Sequence, residues 1–160
     1  MKEKFKRAYM DVAARFAELS TARRLHVGAI VVKDDRIISI GYNGMPAGWD
    51  NNCEDVEITF DERDTHSHSD WTYDESKKQY HRLKTKPEVL HAESNAIAKL
   101  ARSNDSGDGA DIFITHAPCM DCAKLIFQSG IRRVFYGHAY RDDAGVKFLK
   151  ASGVHVEQCE

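Results

Sequence analysis

The chain has 160 residues, of which 42% are hydrophobic and 30% charged, and its formal net charge at pH 7 is -2. This length predicts a single domain, over residues 1–160, that buries about 70% of the surface its unfolded chain exposes. The composition excludes a disordered, collagen-like or membrane-spanning chain, and the charge balance predicts neither a nucleic-acid nor a membrane partner.

The first 48 residues predict a helix followed by a β-hairpin. Apolar residues recur at three- and four-residue intervals over about residues 3–19, which is typical of an amphipathic helix. This charged N-terminus has no apolar signal-peptide region, so we predict a cytoplasmic protein. Apolar, β-branched runs at 27–32 and 37–42 flank a polar turn and predict the hairpin. The Gly- and Pro-rich residues 41–48 predict a loop.

The next segment, at about residues 50–86, is strongly polar and shows no clear hydrophobic period. We predict that it is a long insertion between core elements. Loops of this length inside a compact domain are usually functional or disordered.

Helices and strands alternate through the rest of the chain. The predicted elements are a helix at 92–102, a strand at 112–115, a helix at 119–129, a strand at 134–136, a helix at 144–151 and a strand at 154–156. A strand, a helix and a strand within 30 residues form a crossover that makes the two strands parallel. The sequence therefore predicts an α/β fold with a mixed sheet of about five strands flanked by helices.

Two helix starts carry the candidate chemistry. His91 and Glu93 lie at the start of the predicted helix at 92–102. Cys119 and Cys122 lie at the start of the predicted helix at 119–129. A spacing of three puts both sulfurs on the same side of a first helical turn, where the helix N-terminus favours thiolate. One imidazole and two thiolates suit zinc and leave a fourth position for water, which is typical of a catalytic site. We predict one catalytic Zn²⁺ per chain, bound by His91, Cys119 and Cys122.

Glu93 lies two residues from His91, so it can border the metal without binding it. A His-x-Glu motif followed by Pro-Cys-x-x-Cys is the pattern of zinc-dependent nucleobase deaminases. We predict that Glu93 takes a proton from a zinc-bound water, passes it to a pyrimidine ring nitrogen and then protonates the departing amine. Two other readings of Cys-x-x-Cys are a redox pair and a structural zinc site completed by Cys53 or by a histidine of the insertion.

Longer stretches of the chain resemble the deoxycytidylate (dCMP) deaminase family, which belongs to the zinc-dependent cytidine deaminase superfamily. The similar stretches are residues 24–29, 41–48, 91–97, 118–123 and 129–131. The Gly-Tyr-Asn-Gly-x-Pro sequence that begins at Gly41 distinguishes this family from other zinc deaminases. The resemblance implies a three-layer cytidine-deaminase-like fold and the hydrolytic conversion of dCMP to dUMP and ammonia.

The same resemblance implies a substrate site made of residues from several parts of the chain. It assigns Asn43 to the sugar hydroxyl, Tyr140 to stacking on the base, and Arg24 and Arg141 to the 5'-phosphate, with Ala92 also contacting substrate. An arginine fork matches phosphate oxygens better than a lysine does.

The resemblance further implies regulation by nucleotides in a homo-oligomer, which in this family is commonly a hexamer. Family members are activated by dCTP and inhibited by dTTP, with Mg²⁺, at a subunit interface. The candidate effector residues here are Gly41, Tyr42, Asn43 and Gly44. The simpler alternative is a glycine turn that only positions Asn43.

Two other functions remain open at this point. The chain could deaminate cytidine, deoxycytidine or bases in nucleic acid, although its charge balance offers no broad basic surface for nucleic acid. It could also be a zinc-stabilised binding module with a closed four-ligand site. The sequence assigns no role to His116.

Some members of the family hold a second, structural zinc through extra cysteines. This chain has Thr21 at one such position, and only Cys53 remains. His66, His68 and His81 could supplement Cys53, but we predict a solvated polar loop there instead.

Overall fold

The computed structural model of the chain describes residues 1–66 and 70–159. The strands are β1 (Gly28–Lys33), β2 (Arg36–Tyr42), β3 (Glu54–Thr59), β4 (Thr72–Asp74), β5 (Gln79–Thr85), β6 (Asp111–His116), β7 (Arg133–His138) and β8 (His155–Gln158). The helices are α1 (Glu3–Ala17), α2 (Ala92–Leu100), α3 (Met120–Gln128) and α4 (Ala144–Ala151). Within the described ranges, no helix is both long and apolar enough to cross a membrane.

Five of these strands form a mixed sheet, which we call the main sheet, in the order β2-β1-β6-β7-β8. The pairs β1–β2 and β1–β6 are antiparallel, whereas β6–β7 and β7–β8 are parallel. The parallel pairing of β6 and β7 confirms the crossover predicted through α3. The carboxyl ends of these parallel strands lie together at one edge of the sheet, where α/β folds place their ligands.

Side chains alternate between the two faces of this sheet and build a core on each. Ile112 and Ile114 of β6 face one core with Ala96 of α2 and Ile126 of α3. Phe113 points the other way and packs in the second core, which α1 covers. Because α1 lies on one face and the remaining helices lie on the other, the predicted three-layer arrangement and five-stranded sheet are confirmed.

The predicted helix boundaries agree with the structure to within two residues at each end. The predicted stop at Gly130 is a clear case, since this residue follows α3 with a φ of 78°. A left-handed conformation is favourable for glycine and ends a helix cleanly. The helix α3 itself begins at Met120, so Cys119 is its N-cap residue and not its first helical residue.

The insertion at 50–86 contains regular secondary structure and is not a simple loop. Its strands β3, β5 and β4 form a separate antiparallel sheet, which we call the small sheet, and a short 3-10 helix spans Glu62–Thr65. Val56 and Ile58 alternate with polar residues in β3, but the strongly polar composition of the segment masks this short strand pattern. Glu57 of β3 pairs with Arg82 of β5 across the sheet at 2.6 Å, while Val56 and Ile58 are about half exposed. Charged cross-strand pairs thus take the place of a buried apolar face.

Candidate active site

Three side chains from two helix starts meet at the edge of the main sheet. Nδ1 of His91 lies 3.5 Å from Sγ of Cys119 and 3.4 Å from Sγ of Cys122. Within the described part of the chain, these residues form the one group of three or more His, Cys, Asp or Glu side chains whose ligand atoms lie within 4.8 Å of one another. Bonds of about 2.3 Å to sulfur and about 2.0 Å to nitrogen put tetrahedral zinc ligands roughly 3.6 Å apart. The group therefore fits zinc.

The local fold explains how these residues reach one point. His91 is the N-cap residue of α2 and Cys119 is that of α3, with Cys122 in the first turn of α3. The chain enters α3 from the end of β6 through the buried Pro118. The two helices pack against each other on the same face of the sheet, which brings their N-termini together.

The two sulfurs differ in their electrostatic environment. Hydrogen bonds from the Cys122 thiol and from His91 lower the pKa of Cys119 to about 4. The hydrogen bond to Cys119, together with burial, raises the pKa of Cys122, because the first thiolate makes the loss of a second proton harder. The hydrogen bond to Cys119 also raises the pKa of His91. A divalent cation bound between them would favour both thiolates and a neutral imidazole, which is the donor set that zinc prefers.

Glu93 lies in the first turn of α2, beside this group. Its side chain is buried, with a relative exposure of 4%, and this burial raises the pKa of its carboxyl to about 7. A carboxyl with a pKa near neutral can both accept and donate a proton under physiological conditions. The environment of Glu93 is therefore compatible with proton transfer.

A cavity of about 420 Å³ opens directly onto these residues. It contains His91, Glu93 and Cys119 together with all five side chains that the family resemblance assigned to substrate: Arg24, Asn43, Ala92, Tyr140 and Arg141. These residues come from the loop before β1, the end of β2, helix α2 and the loop after β7. The structure thus brings the predicted metal, proton-transfer and substrate residues into one site.

Asn43 is held by the loop that precedes β1. Its Oδ1 accepts a hydrogen bond from the backbone N–H of Val27 at 2.8 Å, and its Nδ2 donates to the carbonyl oxygen of Leu25 at 2.8 Å. A primary amide has two donor hydrogens and two acceptor lone pairs. These two contacts fix the orientation of the amide and leave one donor and one acceptor of Asn43 for a ligand.

The two arginines of the cavity are held differently. Arg24 donates through Nη1 to Oγ1 of Thr85 at 3.0 Å and through Nη2 to Oδ2 of Asp70 at 3.4 Å. Arg141 is exposed, and its guanidinium lies 5.9 Å from the ring centroid of Tyr140. Arg24 is therefore oriented by the small sheet, whereas Arg141 is in contact with the aromatic ring beside it.

Most residues of the Gly41–Gly44 segment pack against α2 or the residues before it, whereas Asn43 lines the cavity. Gly41 is buried against α2, where an added Cβ would lie 2.1 Å from the carbonyl oxygen of Ala92. The carbonyl oxygen of Tyr42 accepts a hydrogen bond from Asn95 of α2, and Gly44 pairs with Leu90 just before that helix. These contacts fit the simpler alternative, in which the segment positions Asn43 and anchors α2.

Among the residues of the cavity wall that the sequence analysis did not assign to the site, two have titratable side chains. His116 lies at the end of β6, its Nδ1 is 3.1 Å from Oγ1 of Thr115, and burial together with His138 lowers its pKa. Glu54, the first residue of β3, is buried in the same wall. A polar residue at the start of a segment with no clear periodicity gives no signal that its side chain is buried.

Cys53 does not belong to a second metal cluster of the described residues. Its buried Sγ lies 3.5 Å from Oγ1 of Thr21 and 3.6 Å from the carbonyl oxygen of Asn51. His81 pairs with Ile58, several residues further along β3 than Glu54, and His66 is exposed at the end of the 3-10 helix. His68 lies outside the described residues.

Comparison with known proteins places these observations in a family. Residues 3–138 match the family model for the cytidine and deoxycytidylate deaminase zinc-binding region. The chain is 35% identical over 153 residues to ComE operon protein 2 of Bacillus subtilis, covering 95% of this chain and 69% of that protein. It is 39% identical over 160 residues to the deoxycytidylate deaminase of Enterobacteria phage T2, covering 82% of this chain and 78% of that protein.

A solved structure is similar over almost the entire chain. The dCMP deaminase of cyanophage S-TIM5, crystallised in complex with dCMP and dUMP, superposes with a TM-score of 0.80 at 40% sequence identity. The similarity covers 99% of this chain and 98% of that chain.

Proposed function

This chain belongs to the cytidine and deoxycytidylate deaminase family, and from that membership we propose that it converts dCMP to dUMP and ammonia by hydrolysis. The observation that carries the proposal is the shared cavity. A metal-ligand group and a buried carboxyl lie in the same cavity as two arginines, so one small nucleotide can reach all of them. The structural relative that binds dCMP and dUMP supports the same substrate.

His91, Cys119 and Cys122 would hold the metal, and their soft sulfur and imidazole donors fit zinc. When bound, zinc supplies a Lewis acid that lowers the pKa of water at its open position. The chain itself places His91 at the N-terminus of α2 and both cysteines at the N-terminus of α3, whose positive end favours thiolate.

Glu93 is the proposed proton carrier of the reaction. With a pKa of about 7, its carboxylate accepts a proton from the attacking water and donates it to N3 of the cytosine ring. This makes the neighbouring amino-bearing carbon more electrophilic. The oxygen of the deprotonated water bonds to this carbon. Glu93 then takes the proton of the resulting hydroxyl and passes it to the amino group, so that the C–N bond breaks, ammonia leaves and the carbonyl of dUMP forms. The burial of Glu93 limits exchange of this proton with bulk water.

The remaining residues of the cavity would orient the nucleotide. Asn43 has one donor and one acceptor available for the sugar hydroxyl, and the backbone around Ala92 borders the base. Tyr140, which is 37% exposed, offers a ring face for stacking. Arg24 and Arg141 supply cationic N–H groups for the 5'-phosphate.

Turnover of several substrates tests the proposal. Ammonia release would be measured with dCMP, deoxycytidine, cytidine and single-stranded DNA. We expect the highest kcat/KM for dCMP, because the two nucleosides have no phosphate for the arginines and a cavity of about 420 Å³ suits a single nucleotide better than a strand. Equal turnover of deoxycytidine and dCMP would contradict nucleotide specificity and support the nucleoside alternative. Preferred turnover of the DNA would support a nucleic-acid deaminase.

A structural zinc module is the remaining alternative. It requires four protein ligands, whereas the group found in the described residues has three. It also gives no role to the buried carboxyl of Glu93. Retention of full ammonia release after the metal is removed would contradict the zinc-dependent proposal.

We also propose regulation by nucleotides, on the strength of the family resemblance. In this proposal dCTP with Mg²⁺ activates and dTTP inhibits a homo-oligomer, with a hexamer as the expected assembly, through the Gly41–Gly44 segment. Gly41 would act there by packing, because its Cα faces α2, whereas Tyr42 and Gly44 are partly exposed. Turnover of dCMP would be measured with each triphosphate, with and without Mg²⁺, and indifference to both would contradict the proposal. The cytoplasmic location stays a prediction from the sequence.

A further inference from the structure

Glu54 is a carboxylate in the cavity wall with a relative exposure of 1%. Its Oε1 accepts hydrogen bonds from two consecutive backbone N–H groups, those of Arg23 at 2.9 Å and of Arg24 at 3.2 Å. Its Oε2 lies 3.4 Å from Nε of Arg23. Burying a carboxylate is unfavourable unless it is paired and hydrogen-bonded, and here its bonds are directed at the segment that carries Arg24.

The residue opposite Glu54 in the small sheet holds the side chain of the same arginine. Thr85 of β5 pairs in register with Glu54 of β3, and its Oγ1 accepts a hydrogen bond from Nη1 of Arg24 at 3.0 Å. Both residues line the cavity. One cross-strand pair thus fixes the backbone of Arg24 through Glu54 and its guanidinium through Thr85.

We propose that the Glu54–Thr85 pair positions Arg24 for the 5'-phosphate and so makes the small sheet a determinant of nucleotide over nucleoside specificity. The inference rests on the proposed deamination of dCMP. A guanidinium has five N–H donors, and among the described residues Thr85 and Asp70 take one each. The remaining donors are available to phosphate oxygens. Ordering the guanidinium before the substrate arrives lowers the entropy cost of binding.

The small sheet also explains why Arg24 does not simply extend into solvent. Its side chain is 34% exposed, and no other element of the described chain hydrogen-bonds its guanidinium besides the segment from Asp70 to Thr85. Without Thr85 only the 3.4 Å contact with Asp70 would hold the guanidinium, so the long side chain would regain rotational freedom that the phosphate would have to order again.

The test uses two variants at Thr85, an isosteric one without the hydroxyl and a smaller one that keeps it. Thr85→Val removes the acceptor for Arg24, whereas Thr85→Ser keeps it. For dCMP we expect Thr85→Val to raise KM about tenfold, the effect of one charge-assisted hydrogen bond, with kcat unchanged. Deoxycytidine turnover is expected to stay at the wild-type value, because it has no phosphate. Thr85→Ser is expected to match the wild type.

A second variant addresses the backbone contact. Glu54→Gln keeps one acceptor oxygen but loses the charge that faces Arg23, and we expect it to raise KM for dCMP in the same way. Its matched control is Asp55→Asn, which makes the same chemical change at the next residue of β3, where the carboxylate is 67% exposed. Zinc content and thermal midpoint would be measured for every variant to verify folding.

The outcomes separate this inference from the proposed function. A zinc-loaded wild type that releases no ammonia from dCMP would contradict both. If the wild type is active and Arg24→Ala raises KM for dCMP while Thr85→Val and Glu54→Gln do not, only the positioning role is overturned. Equal losses with dCMP and deoxycytidine would indicate a general structural role and would also overturn it.

Discussion

Strand β2 and helix α2 meet at Gly41 and Ala92, where a Cβ on Gly41 would lie 2.1 Å from the carbonyl oxygen of Ala92. Since Ala92 lies between His91 and Glu93, this contact sets the position of the helix start that carries the candidate chemistry. Gly41→Ala is therefore expected to lower the free energy of unfolding by about 3 kcal/mol and to weaken zinc retention. Denaturant unfolding and metal analysis would measure both.

Gly44→Ala is the matched control for stability, because a Cβ there meets no atom within 4 Å in the described chain. We expect its unfolding free energy to stay within about 0.5 kcal/mol of the wild type. A Gly41→Ala protein with wild-type stability would show that α2 can move away from β2 at little cost.

Glu93→Gln tests the proton carrier. The amide has nearly the same shape as the carboxyl but cannot transfer a proton, so we expect kcat for dCMP to fall by about 10³-fold. Zinc should remain bound, because Glu93 is not among the three residues whose donor atoms cluster. Glu88→Gln, at an exposed position before α2, is the control. Loss of zinc in Glu93→Gln would mean that this residue supports the metal instead.

Cys122→Ser tests the metal group. A serine hydroxyl is a poor zinc ligand near neutral pH, so we expect the variant to lose both its zinc and its ammonia release. Cys159→Ser replaces another buried free thiol, at the end of the chain, and should keep its zinc. Equal zinc contents in the two variants would contradict the assignment of Cys122 as a ligand.

Metal stoichiometry gives a separate prediction. Elemental analysis of the purified chain should find one zinc per chain, and Cys53→Ser should not change that number. The reason is that Cys53 contacts Thr21 and the backbone of Asn51 and takes no part in a metal cluster of the described residues. Two zinc ions per chain would show that this prediction is wrong.

Arg141→Ala tests phosphate recognition by the second arginine of the cavity. Loss of the Arg141 guanidinium should raise KM for dCMP about tenfold and leave deoxycytidine turnover unchanged. Arg15→Ala, at a position on α1 where the side chain is 79% exposed, is the control for a change in net charge. A similar KM in Arg141→Ala and in the wild type would remove Arg141 from the proposed site.

The metal group and most of the main sheet could be predicted because their signals are local. A spacing of three between Cys119 and Cys122, and of two between His91 and Glu93, already determines which side chains share a helix turn. The continuous apolar run of β6 and the helical hydrophobic period of α3 likewise depend on neighbours within a few residues. The small sheet was not predicted although Val56 and Ile58 alternate with polar residues in β3. The polar composition of the segment outweighed this short pattern, and its cross-strand pairs, such as Glu57 with Arg82, join residues 25 apart.

The amino-acid sequence by itself determined the family, the α/β order of the elements and the three donors that fit zinc. Only the tertiary structure decided that Glu54 and Thr85 hydrogen-bond Arg24. The same is true of the position of His116 in the cavity wall and of the close packing of Gly41 against α2. The physical reason is that these contacts join residues distant in the chain, so they form only when the strands and helices pack together. This packing also buries polar side chains, such as that of Glu54, whose residue type alone predicts exposure.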